Sequence, residues 1–171
     1  DTLRANHTYL GETQLPANED VITDGVYGDA IELAVKIDPK DAREICLKVL
    51  RAPDDQEYTV IRFHREGGLK KSHRTPRADA LSIDISRSSL APDVMSRTPE
   101  VAPLELSGGE FLDLRIFIDK SVVEVFANGR QALGLRVYPT REDSVGVSIR
   151  AQGGAAALLS LDAWQMLSIW S

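Results

Sequence analysis

The sequence predicts an all-β fold, a two-sheet antiparallel β-sandwich of the jelly-roll or concanavalin-like kind. Three observations lead there: apolar and polar residues alternate with period two along the chain, the alternating runs are short, and residues that favour turns separate them. With 171 residues, 43% of them hydrophobic, the chain is long enough to close a core without disulfides or metals, and residues 1–171 are expected to form a single domain.

The first clear strand carries Ile31, Leu33, Val35 and Ile37 on one face, with Glu32, Ala34 and Lys36 on the other. Asp38-Pro39 ends it. The pattern returns at Ile45, Leu47 and Val49, from Tyr58 to Phe63, and at Leu81, Ile83 and Ile85, with Pro53-Asp54-Asp55 among the intervening turns. Helix is confined to single turns, over 39–44 and 88–94. Residues 91–103, with three prolines and few large apolar side chains, are expected to be a surface connection.

The second half is the more regular. A strand over Leu114–Ile118, the turn Asp119-Lys120 and a strand over Ser121–Phe126 lead to Asn128-Gly129, a hairpin signal because both residues tolerate the positive φ of a type I′ turn. Leu133, Leu135 and Val137, then Val145, Val147 and Ile149, continue the alternation, so four strands in hairpin succession are expected. The run from Trp164 to Trp170 is expected to be the closing strand, with both tryptophans on one face and Leu167 and Ile169 on the other. Apolar residues on both faces imply a strand covered from both sides.

Charge and motifs exclude several functions. A formal net charge of −6 and a pI near 5.1 offer nothing to a polyanion, so neither nucleic acid nor an anionic membrane is an expected partner. There is no apolar run long enough to cross a bilayer as a helix and no signal-peptide pattern, and a start at Asp1 fits a processed or excised piece. Cys46, the sole cysteine, sits among Ile45, Leu47 and Val49 and is expected to act as a small buried hydrophobe with no cation beside it.

Candidate chemistry is sparse. Asp119 and Glu124 could be proposed as a glycosidase pair, but a turn aspartate bonding nearby backbone and a solvent-facing strand glutamate account for them as well. His7, His64 and His73 lack metal-ligand spacing, and Gly-x-Ser-x-Gly and phosphate-loop motifs do not occur, so no metal or cofactor is expected. The glycine pairs at 67–68, 108–109 and 153–154 are expected to be turns. Arg62, Arg65, Lys70, Lys71, Arg74 and Arg77 gather with only Glu66 against them, and a solvated hairpin is the expected reading.

The segment from Leu114 to Gly129, LRIFIDKSVVEVFANG, closely resembles the hallmark hairpin of the C-terminal sandwich in family 32 glycoside hydrolases, which include invertases, levanases and inulinases. Leu81 to Ser88 is similar to that family's Asp-Arg-Ser-Arg-Ser segment, with Ile85 where an arginine is usual, and Trp164 to Trp170 is similar to its last strand. The resemblance covers the chain from about Ala30 onward.

It implies a parent enzyme that hydrolyses β-fructofuranosides with retention, through a covalent intermediate, on a five-bladed propeller that precedes the sandwich. The propeller's Asn-Asp-Pro, Arg-Asp-Pro and Glu-Cys motifs do not occur here: Asp38-Pro39 follows Ile37, and Cys46 follows Ile45. No catalytic residue is therefore carried over. The resemblance implies a non-catalytic accessory domain whose partner is the propeller, and an extracellular or periplasmic place. A free-standing module that binds fructan or another glycan, and an oligomerising domain, are the alternatives. An exposed aromatic platform would mark the first, and a large apolar patch the second.

Overall fold

The computed structural model describes residues 3–67 and 78–168. Thirteen strands are assigned there in two antiparallel sheets, with no helix among the described residues. The strands are β1 Arg4–Leu10, β2 Thr13–Leu15, β3 Asp20–Tyr27, β4 Ala30–Asp38, β5 Glu44–Arg51, β6 Thr59–His64 and β7 Ala80–Asp84. They continue with β8 Glu100–Pro103, β9 Leu112–Asp119, β10 Val122–Ala127, β11 Gln131–Arg136, β12 Gly146–Gln152 and β13 Ala156–Met166. One sheet runs β1-β13-β4-β9-β10-β11, with β2 also paired to β13, and the other runs β3-β12-β5-β6-β7-β8.

The period-two pattern decides which side chains meet between the sheets. In β4, Ile31, Leu33, Val35 and Ile37 are buried, and in β9 so are Leu112, Leu114, Ile116 and Ile118, in continuous register from Ala30↔Asp119 to Ile37↔Leu112. Val123, Val125 and Ala127 of β10 extend this layer. Leu47, Val49, Ile61, Phe63, Leu81, Ile83 and Ile149 face it from the second sheet, in one continuous apolar core. Each such side chain contributes about 1.5–3 kcal/mol by leaving water, so this interior is the main source of stability.

Several expectations are corrected. Residues 39–44 and 88–94 hold turns closed by Ala42 N–Pro39 O and Val94 N–Ala91 O hydrogen bonds, not helical turns. Glu100–Pro103, expected within a connection, pairs with β7 as an edge strand, where a proline without an N–H is tolerated. The fourth strand of the supposed hairpin series leaves its sheet: β12 lies between β3 and β5 in the other one. The closing strand begins at Ala156 and ends at Met166, so Leu167 is exposed beyond it, while Ile169 and Trp170 lie outside the described residues.

Two turns fix the register of the hallmark hairpin. Lys120 takes φ 54°, its N–H donating to the Asp29 carbonyl at 2.6 Å and its Nζ pairing with the Asp29 carboxylate at 2.8 Å. Asn128 and Gly129 have φ 50° and 61°, and Arg130 N donates to Ala127 O, the type I′ geometry that Asn-Gly predicts. The Asn128 side chain also accepts from Asp113 N and donates to Phe111 O and Glu110, stapling the loop to the start of β9.

Candidate functional site

The two sheets present different outer faces. On the sheet containing β12, the outward side chains form a nearly continuous ion network. Lys48 reaches Asp55 at 2.5 Å and Asp20 at 3.5 Å, Arg51 reaches Asp55 at 2.9 Å, and Arg150 reaches Asp20 at 3.6 Å. Arg62 lies 3.7 Å from Glu44 and 4.0 Å from Asp84. His64 meets Ser82 at 3.0 Å and Glu44 at 3.5 Å, and burial pushes its pKa below the ordinary value against the pull of Glu44.

Cys46 belongs to this face rather than to the core. It is buried, and Arg62 lies beside it, so the expectation of no adjacent cation is corrected; burial still raises the thiol pKa, with Arg62 opposing. Arg65 donates to the Ala42 and Lys40 carbonyls, so it pins the 39–43 turn instead of offering a free charge. Lys70, Lys71, Arg74, Arg77, Gly68 and His73 lie outside the described residues.

The outer face of the sheet containing β13 is different. At its centre Glu32 is 2% exposed although it points away from the core. Arg4 grips it through Nε and Nη2 at 2.7 and 2.6 Å, and Arg115 Nε adds a third contact at 2.6 Å. Both guanidinium groups lie over the Trp164 ring, at 4.4 and 5.7 Å from its centroid. His7 stacks on the same indole at 5.0 Å and meets Asp162 at 2.7 Å. Phe117 and Phe126 touch edge to face at 6.0 Å on neighbouring strands.

Asp119 and Glu124 are exposed and border one trough of about 650 Å³ on this face, together with Leu3, Phe117, Met166 and Leu167. Of the histidines, His7 and His64 are thus on opposite faces, and no cluster able to hold a metal forms among the described residues.

A carboxylate that sequence reasoning passed over organises one end of the sandwich. Glu57, fully buried, accepts Leu90 N at 3.1 Å, Thr140 N at 2.8 Å and Thr140 Oγ1 at 2.5 Å on one oxygen. The other oxygen accepts Arg141 N at 3.1 Å and Ser144 Oγ at 2.6 Å. Burial alone would raise its pKa, but the bonds from Ser144, Thr140 and Arg141 outweigh burial and hold it below the ordinary carboxylate value. Glu57 follows a turn sequence and Glu32 occupies a polar position of an alternating strand, so no local signal marks either as buried.

Comparison with known proteins matches residues 1–165 to a family described as "Glycosyl hydrolases family 32 C terminal". The match includes the stretch before Ala30, where the sequence resemblance is less clear and where β1, β2 and β3 lie. A levanase of Bacillus subtilis is 28% identical over 162 residues, 91% of this chain and 21% of its own length. An acid beta-fructofuranosidase of Vicia faba is 42% identical over 87 residues, 50% of this chain and 13% of its own. The chain therefore spans at most about a fifth of these relatives. The crystal structure of fructan 1-exohydrolase IIa from Cichorium intybus superposes with a TM-score of 0.81 at 17% identity, covering 96% of this chain and 36% of that one, a likeness of fold. With the family model matched along almost its whole length, this chain belongs to the C-terminal domain family of the family 32 glycosyl hydrolases.

Proposed function

We propose that this chain is the accessory, non-catalytic sandwich of a longer enzyme that hydrolyses β-fructofuranosides such as sucrose, levan or inulin with retention, and that it stabilises the catalytic propeller by docking to it. One observation carries the reading: the hallmark hairpin is spent on architecture. Its inward residues, Leu114 to Ile118 and Val123 to Ala127 in alternation, fill the core, and Asn128 staples the loop. Asp119 and Glu124 remain exposed rather than held in a dry pocket, where a glycosidase acid would have its pKa raised.

The test is isothermal titration of the purified chain with sucrose, inulin and levan, paired with a fructose-release assay. No release and no heat are expected from the chain alone. Any fructose release would overturn the non-catalytic reading, with Glu124→Gln showing whether the Asp119 and Glu124 pair is responsible, and heat of binding without release would favour a carbohydrate-binding module.

A further inference from the structure

We infer that Asn128 is a site of spontaneous deamidation that the folded chain holds in check, with Glu110 as a positioning residue that restrains the reacting amide. Asparagine is among the chemically labile residues, because the backbone nitrogen of the next residue can attack its side-chain carbonyl carbon. Glycine presents that nitrogen with no Cβ to hinder its approach. Of the three asparagines, Asn6 precedes a histidine, Asn18 a glutamate and Asn128 a glycine, so the chemistry singles out the turn between β10 and β11.

The reaction needs only the chain and water. Gly129 N bonds to Asn128 Cγ and gives up its hydrogen, the Cγ–Nδ2 bond breaks, and ammonia leaves with that proton as a cyclic imide closes. Water then opens the ring at either carbonyl, leaving aspartate or isoaspartate at position 128.

The folded geometry opposes the first step. The carboxamide is committed to the start of β9: Oδ1 accepts from Asp113 N at 3.1 Å, while Nδ2 donates to Phe111 O at 2.8 Å and to Glu110 Oε1 at 3.0 Å. Both Nδ2 hydrogens are in use, and these bonds must break before Cγ can swing to Gly129. Asn128 N donates to Asp113 O at 2.8 Å and Arg130 N to Ala127 O at 3.0 Å, which fixes the backbone on either side. Glu110 is itself anchored, since its Oε2 accepts Ser107 N at 3.0 Å and its Oε1 meets Arg130 Nη2 at 2.9 Å.

The product cannot regain this arrangement. Aspartate at 128 has no side-chain N–H for Phe111 O and sets a second carboxylate against Glu110, where like charges repel. Isoaspartate adds a methylene to the backbone of a turn whose two central residues must both hold positive φ. A transient opening of the turn thereby becomes a permanent one.

Peptide mapping by mass spectrometry tests the site, on the 171-residue chain aged in mildly alkaline buffer with and without urea above its unfolding midpoint. Deamidation at Asn128 is expected to run at least about tenfold slower in the folded chain, because it needs an opening event, and Gly129→Ala should slow it in urea. Glu110→Ala is expected to raise the folded rate severalfold and leave the rate in urea unchanged. The rise should exceed that in thiol labelling of Cys46, which reports opening of the other sheet and separates loss of positioning from general loss of stability. Equal rates with and without urea would overturn the protection. A folded rate that Glu110→Ala leaves unchanged, or raises only in step with Cys46, would overturn the part given to Glu110, and an Asn128 that stays intact in urea would overturn the site itself.

Discussion

Replacing Glu57 by glutamine exchanges one carboxylate oxygen for an amide that can only donate. The wild-type carboxylate accepts five hydrogen bonds, three on one oxygen and two on the other. In the better amide orientation Leu90 N and both Thr140 donors keep an acceptor, now uncharged, while Arg141 N and Ser144 Oγ face an NH₂ group. Ser144 can rotate its hydroxyl; a backbone N–H cannot turn away. One unsatisfied buried donor costs about 1–3 kcal/mol, and weakening three charge-assisted bonds adds roughly 1 kcal/mol for the first and less for the others, for a total of about 4 kcal/mol. At about 3 °C per kcal/mol for a domain of this size, Tm falls by about 12 °C.

Urea and thermal unfolding followed by circular dichroism measure the change, and the sign of its pH dependence is fixed as well. Because the folded pKa lies below the ordinary 4.5, the stabilisation is complete above that value and is lost as pH falls through the folded pKa. The gap between wild type and Glu57→Gln should therefore narrow in acid. A destabilisation below about 1 kcal/mol at pH 7 would refute the argument that these bonds hold the loops together.

Asn128→Ala removes three side-chain hydrogen bonds and leaves alanine at φ 50°, and denaturant titration should show a loss of about 2 kcal/mol with an unchanged m-value. Gly28→Ala places a methyl group against Ile31 at φ 147°, and a cost of about 1–3 kcal/mol is expected in the same assay; a neutral result would mean that the Gly28–Asp29 turn relaxes freely. Cys46, buried beneath Arg62 with a raised pKa, should react with a thiol reagent at pH 8 only as fast as the protein opens. Labelling that proceeds without urea and without dependence on stability would contradict that burial.

What the sequence revealed follows from what is local. The meander β9–β10–β11 was legible because the inward residues of β9 and β10 alternate without a break, Asp119-Lys120 turns the first hairpin and Asn128-Gly129 the second. Ala156–Leu158 opens β13 with a run buried on both sides, so no alternation announced the strand. That β12 changes sheets is a tertiary choice that its own residues do not encode. Glu32 reads as a solvated position in its strand, and it is enclosed by residues distant in sequence: Arg4, 28 residues away, and Arg115 from the neighbouring β9, with Trp164 opposite it on β13. Cys46 was correctly read as buried, but the side on which it is buried depended on Arg62 from the next strand.

The position of β13 bears on how the molecule assembles. Its eleven residues lie between β4 on one side and β1 with β2 on the other, so the earliest strands of the chain have no partner in their sheet until residues 156–166 arrive. Closing loops of some 150 residues is entropically slow, and during synthesis β1 and β2 must wait as unpaired edges while β4 through β11 can already zip together. Refolding should then show a late phase in which Trp164 fluorescence changes after most strand signal has formed. A nascent chain stalled before residue 156 would present open edges to proteases and chaperones, which makes this one strand the checkpoint for the whole domain.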